Sequence, residues 1–183
     1  MKKVILALAI PVIALSSCSY KTIPAQGIYP DQPISFQNNK SFEETWDQAI
    51  SAFSQEGLAI KLIDKSSGLI VSENSPIIAT WEGNSNIPVH PNAYIVVAKR
   101  VTQTTAREIP VTKIKTIRPK LDSADILRGE WVVRIKQNGS GTQVQVSLAN
   151  VTHVIYSRQL WVVKPLDQFK STGIFEKRLA SSL

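Results

Sequence analysis

Hydrophobic and polar positions divide this chain into stretches of different period. Val4 to Leu15 is almost continuously apolar, follows the charged start Met1-Lys2-Lys3 and is interrupted by Pro11. Residues 19 to 40 carry Pro24, Pro30 and Pro33, Gly27 and the polar run Gln37-Asn38-Asn39, with no sustained apolar period. This composition predicts a flexible tether whose r.m.s. reach is about 25 Å. A helical period then begins: Phe42, Trp46, Ala49, Ile50 and Phe53 share one stripe. Ser41-Phe42-Glu43-Glu44 has the form of a capping box, in which the serine hydroxyl and the glutamate carboxylate each serve the other residue's amide. Gly57 stands where a left-handed C-terminal cap belongs, so the pattern predicts a helix over 42–56.

After Gly57 the period falls to two. Leu58, Ile60 and Leu62 alternate with Ala59, Lys61 and Ile63, then Asp64-Lys65-Ser66-Ser67-Gly68 has turn composition and Leu69 to Glu73 reads as an antiparallel return. Residues 74 to 92, with prolines at 76, 88 and 91, form an irregular connection holding a short strand at Ile77 to Trp81. Tyr94 to Val101 is apolar on both faces until Lys99, as a central strand requires. Residues 102 to 128 read as an insertion. Glu130 to Lys136 and Gln143 to Val151 alternate cleanly around Asn138-Gly139-Ser140-Gly141, predicting a hairpin, and Val154 to Val163 predicts a last strand. Ser171 or Thr172 is placed to cap a short terminal helix bearing Ile174, Phe175 and Leu179. The order helix, antiparallel strands, helix predicts an α+β domain over 41–183 with helices packed on one face of a curved antiparallel β-sheet.

Cysteine usage changes the picture. The only cysteine of the 183 residues is Cys18, at the end of Leu15-Ser16-Ser17-Cys18 and directly behind the charged and apolar start. A positive n-region, an apolar h-region and small residues before a cut mark a signal peptide over 1–17. Leu15-Ser16-Ser17-Cys18 resembles the lipobox of bacterial lipoproteins. That resemblance implies that the Cys18 thiol carries diacylglycerol, that the chain is cut before it, and that its new amino group receives an acyl chain. A membrane span is disfavoured, because the 12 residues from Val4 to Leu15 are too few for a ~30 Å hydrocarbon layer. The implied address is the cell envelope, with anchoring by lipid. In the lipoproteins this chain resembles, an aspartate after the cysteine favours inner-membrane retention, so Ser19 at that position implies, in a Gram-negative cell, the outer membrane facing the periplasm. Cys18 once modified leaves no thiol for a disulfide, a metal or a nucleophile.

Trp46 to Ile50, Gly57 to Ile60 and Asp64 to Ile70 together resemble the BamC-like domains of envelope lipoproteins: a tryptophan-bearing helix, a glycine, a strand, a polar turn ending in glycine and a second strand. The resemblance covers about thirty residues, roughly a sixth of the chain, and implies a helix-grip fold. This chain departs from BamC in having one recognisable unit and a basic stretch at 99–120.

Charge supplies the remaining candidate chemistry. With Lys2 and Lys3 removed, 19 basic side chains face 14 acidic ones, a formal +5. Lys99, Arg100, Arg107, Lys113, Lys115, Arg118 and Lys120 stand against the single acid Glu108, a local +6. Such a segment suits anionic lipid, anionic glycan or an acidic envelope protein, or else guards a sheet edge against aggregation. The envelope address excludes nucleic acid. Catalytic patterns are sparse: His90 and His153 lack ligand-spaced partners, and Glu44 of the Glu43-Glu44 pair is committed to the capping box. Of the four tryptophans, Trp46 and Trp131 sit at core positions, while Trp81 lies in a loop and Trp161 on the last strand. The reading is a non-catalytic lipid-anchored binding or scaffold module without metal or cofactor, extending to an accessory role in outer-membrane assembly. The alternative is an enzyme acting on peptidoglycan or polysaccharide.

Overall fold

The structure, a computed structural model, describes residues 19–103, 126–157 and 160–183. Cys18, Arg107, Lys113, Lys115, Arg118 and Lys120 lie outside the described residues. In chain order the elements are β1 (Ser19–Ile23), β2 (Ile34–Asn38), α1 (Phe42–Gln55), β3 (Ile60–Asp64), β4 (Leu69–Ser72), β5 (Ser75–Pro76) and β6 (Ala79–Thr80). There follow β7 (Ile95–Val97), β8 (Lys99–Gln103), β9 (Ile126–Asn138), β10 (Gly141–Ser157), β11 (Leu160–Pro165), β12 (Phe169–Ser171) and α2 (Ile174–Ser182). The fold is α+β. Its main sheet runs β11-β10-β9-β4-β3, with β2 on β10 and β5 on β9; β12-β7-β6 form a smaller sheet and β1-β8 a separate ribbon. The sheet is not closed, and among the described strands only β6 and β7 pair in parallel.

Local chemistry fixes the first half of the core. The Glu44 amide donates to Ser41 Oγ and the Ser41 amide to the Glu44 carboxylate, completing the capping box. The Ser41 hydroxyl also donates to the Glu44 carboxylate, and this bond foremost, with the one from the Ser41 amide, holds the Glu44 carboxyl below its usual range. At the other end Leu58 N–H reaches Phe53 O and Gly57 N–H reaches Ser54 O, a Schellman closure that Gly57 permits with φ of +68°. Nothing lies within 4 Å of a Cβ added there. Gly68 is constrained differently: φ is +67° and an added Cβ would sit 1.9 Å from Ile135 O, because the β3–β4 turn lies against β9. In that turn the Ser66 and Ser67 hydroxyls donate to Asp64, drawing its carboxyl down to about 2.

The β9–β10 hairpin carries the centre of the core. Trp131, Val133 and Ile135 stand opposite Leu148, Val146 and Val144, and all are buried. Trp46, Ala49, Ala52 and Phe53 of α1 close over them, joined by Phe175 and Leu179 of α2 and by Leu183 directly after it. Both helices therefore bury their apolar stripes in one core on one side of the sheet, as alternation of strand side chains between two faces allows.

The structure corrects several sequence expectations. The 19–40 stretch is not a free tether: β2 pairs with β10 from Ile34↔Val146 to Asn38↔Thr142, and β1 pairs with β8. Half-buried Phe36 packs on the core, so a strand with only alternate apolar residues finds its stability in tertiary contact. Around Lys61 a register shift in β3 breaks the alternation, leaving Leu62 and Ile63 46% and 51% exposed on an edge with a neighbour on one side only. The expected strand 94–101 divides at Ala98 between two sheets. The expected strand 154–163 is the end of β10 and the start of β11, paired from Thr152↔Pro165 to Ser157↔Leu160. Neither Ser171 nor Thr172 is the N-cap of α2; Gly173, with φ of +76°, takes that position without a side-chain cap bond. The Ser171 hydroxyl instead donates to buried Glu176.

Candidate functional site: the latched segment before the first helix

The segment following Cys18 is tied to the domain at successive points. β1 runs antiparallel to β8, with Ser19 opposite Gln103, Lys21 opposite Val101 and Ile23 opposite Lys99. Beyond Ile23, the amides of Gln26 and Gly27 donate to the two carboxylate oxygens of Glu82 at 2.8 and 2.5 Å, and the Tyr29 hydroxyl donates to the same carboxylate at 2.8 Å. Glu82 is only 4% exposed, so these charge-assisted bonds replace much of its hydration. Burial and the Glu82 hydrogen bond, with its negative charge, push the Tyr29 phenol well above its usual range and keep it a donor. At Gly27 an added Cβ would meet Asn86 O at 2.3 Å, so the approach admits only glycine. Further along, Gln32 accepts from the Leu148 amide and donates to Glu176, carrying the segment onto β10 and α2.

Glu82→Gln tests this latch. An amide presents one acceptor oxygen where the carboxylate presents two, leaving a donor of the latched segment unmet at about 1–3 kcal/mol. Amide exchange at Gln26 and Gly27 is expected to accelerate by roughly 10-fold or more while core amides keep their protection. Unchanged exchange at both residues would contradict the latch.

Beside the latch, Pro24 and Ala25 form one wall of an open groove of about 410 Å³; Val96, Ala98, Phe169 and Lys170 are among the other residues lining it. Lys99 and Arg100 begin β8, next to Ala98 and opposite Ile23 and Thr22. The structure thus brings these two basic candidates to the strand that begins one residue after Cys18, a juxtaposition across about eighty residues of sequence.

Four further glutamates make internal contacts. Glu130 is buried on β9 and accepts from Lys61 Nζ and Asn150 Nδ2, each at 2.7 Å; those bonds, Lys61 foremost, hold its carboxyl below the usual range. Glu176 is fully buried and accepts from Ser171 Oγ at 2.6 Å and Gln32 Nε2 at 3.0 Å. Glu43 pairs with Lys65 and Glu44 with Ser41. His90 is exposed, and its Nδ1 accepts from the Asn92 amide; His153 lies half-buried on β10. Among the described residues, no group of three or more His, Cys, Asp or Glu side chains is arranged to hold a metal ion. Trp46 and Trp131 are core residues, Trp81 is half-buried, and Trp161 stands on β11 opposite Tyr156.

Sequence reasoning missed Glu82, Gln26, Gly27 and Tyr29. Their partners lie 53 to 56 residues apart, in stretches without period, and two of the donors are backbone amides. No protein-family model matches the chain, and no curated protein sequence matches it. Among the described residues, no helix is long and apolar enough to cross a membrane.

Proposed function

We propose that the chain is a non-catalytic bacterial envelope lipoprotein, anchored through acylated Cys18, whose α+β domain binds or scaffolds other envelope components. In a Gram-negative cell the domain faces the periplasm from the outer membrane, where an accessory part in outer-membrane assembly fits it. We also assign the domain to the BamC-like helix-grip type, supported by the succession of α1, the Gly57 closure, β3, the Asp64–Gly68 turn and β4. The observation that carries the proposal is the latch: the segment following the lipobox cysteine is held by Glu82 and by pairing with β8. A domain tied in this way to its anchor stays near the lipid surface and presents a fixed face to neighbours.

The test is fractionation of a Gram-negative host, with and without an inhibitor of the lipoprotein signal peptidase. The mature protein is expected in the outer-membrane fraction with Cys18 as its first residue, and a larger precursor is expected to accumulate under the inhibitor. A mature protein recovered in the soluble fraction, or one beginning elsewhere, would overturn the proposal.

A further inference from the structure

We propose that the β1–β8 ribbon is a second membrane contact that takes the anionic phosphate headgroups of the leaflet holding the anchor. The inference rests on the reading of Cys18 as the lipid-bearing residue and adds where the domain meets the membrane and through which residues. Its basis is the register. Ser19, the residue after Cys18, pairs with Gln103, and the ladder continues unbroken to Ile23 opposite Lys99.

The ribbon's ten residues, Ser19 to Ile23 and Lys99 to Gln103, include Lys21, Lys99 and Arg100 and no acid. A formal +3 is thus gathered in a ribbon of two five-residue strands, against +5 for the whole mature chain. Lys21 and Lys99 occupy positions of the same face by register; Tyr20 and Arg100 occupy the other. Tyrosine, lysine and arginine are the residues that settle at a lipid–water boundary.

Distance along the ribbon favours the contact. At ~3.4 Å per residue, the positions of Lys21, Arg100 and Lys99 lie about 7, 10 and 14 Å along the ribbon from Ser19, so the first two fall within the ~8–10 Å over which a surface potential decays, and Lys99 joins them where the ribbon lies along the leaflet. The Glu82 latch removes the slack that would let the domain drift away. Lipid and basic residues then act as two anchoring signals on one edge of the domain, the arrangement by which acylated proteins gain stable membrane attachment.

The experiment uses the full-length lipidated protein in phosphatidylethanolamine vesicles with or without phosphatidylglycerol. An environment-sensitive fluorophore is placed at Thr102→Cys in the ribbon or at Ser140→Cys, in the turn at the far end of the β9–β10 hairpin from Leu127. Acylated Cys18 does not react with the label. A headgroup-attached spin label is expected to quench the probe at 102 strongly in anionic vesicles and the probe at 140 weakly. The difference is expected to shrink without phosphatidylglycerol and as salt rises from ~0.1 to ~1 M, where the Debye length falls from ~10 to ~3 Å. Lys21→Gln, Lys99→Gln and Arg100→Gln together are expected to abolish it while leaving the Cys18 lipid and the thermal midpoint in place. The lipid and salt arms use the native ribbon, so they decide the matter even for a poorly folding variant. Equal quenching at 102 and 140 on a protein whose Cys18 carries lipid would overturn the ribbon contact and leave the anchor intact. Absence of lipid on Cys18 of the parent would overturn the anchor reading, and the ribbon contact with it.

Discussion

Cys18→Ser is expected to abolish acylation completely and to leave the larger precursor uncut. On the proposed reading the Cys18 sulfur accepts the diacylglycerol, and Cys18 is the chain's only cysteine, so no other side chain can substitute. The energetic consequence is large. Each buried methylene contributes about 0.8 kcal/mol of membrane affinity, so two or more acyl chains make desorption negligible. The three basic residues of the ribbon supply about 1 kcal/mol each and cannot hold the protein alone against salt. Metabolic labelling with a fatty-acid probe and the apparent size of the product check the outcome. Undiminished label in the variant would sink the lipoprotein reading.

Trp131→Ala is expected to give the largest stability loss of any single substitution in the core. The indole is 1% exposed, stacks on Phe175 with ring centroids 3.8 Å apart and planes 19° from parallel, and meets Tyr94 edge-on at 6.0 Å. It thereby fastens α2 to β9 and to the residue that leads into β7. Removing so large a buried side chain costs about 3–5 kcal/mol, and the lost ring contacts add about 0.5–1.5 kcal/mol. Against a total of about 5–15 kcal/mol, this is a large share of the domain's stability. Trp46 stacks only on half-buried Phe42, with centroids 5.8 Å apart, so Trp46→Ala is expected at the lower end of the same range. Denaturant unfolding of the mature protein, followed by circular dichroism, measures both. A loss below ~1 kcal/mol for Trp131→Ala would contradict the packing described.

Those parts of the fold whose causes are local were legible in the sequence. The Ser41–Glu44 capping box, the Gly57 closure, the Asp64–Gly68 turn and the alternating β9–β10 hairpin each have their signal within a few residues, because they arise from neighbouring backbone groups or from one buried face. The core positions of Trp46 and Trp131 were legible for the same reason. The α+β class followed from the order of these elements.

Features that depend on distant partners emerged with the assembled fold. Composition made 19–40 a tether, because prolines and alternating polar residues offer no apolar surface that can fold alone. Phe36 and the backbone of β2 instead complete the edge of β10, and Glu82 gathers amides more than fifty residues away. The division of strand 94–101 at Ala98 follows similarly from β12 and β6 pairing with one half and β1 with the other. Periodicity records which side of a strand is buried, but not which strand lies beside it. Neighbour choice is set by loop closure and by the demand that buried hydrogen-bonding groups find partners, and both are properties of the whole chain.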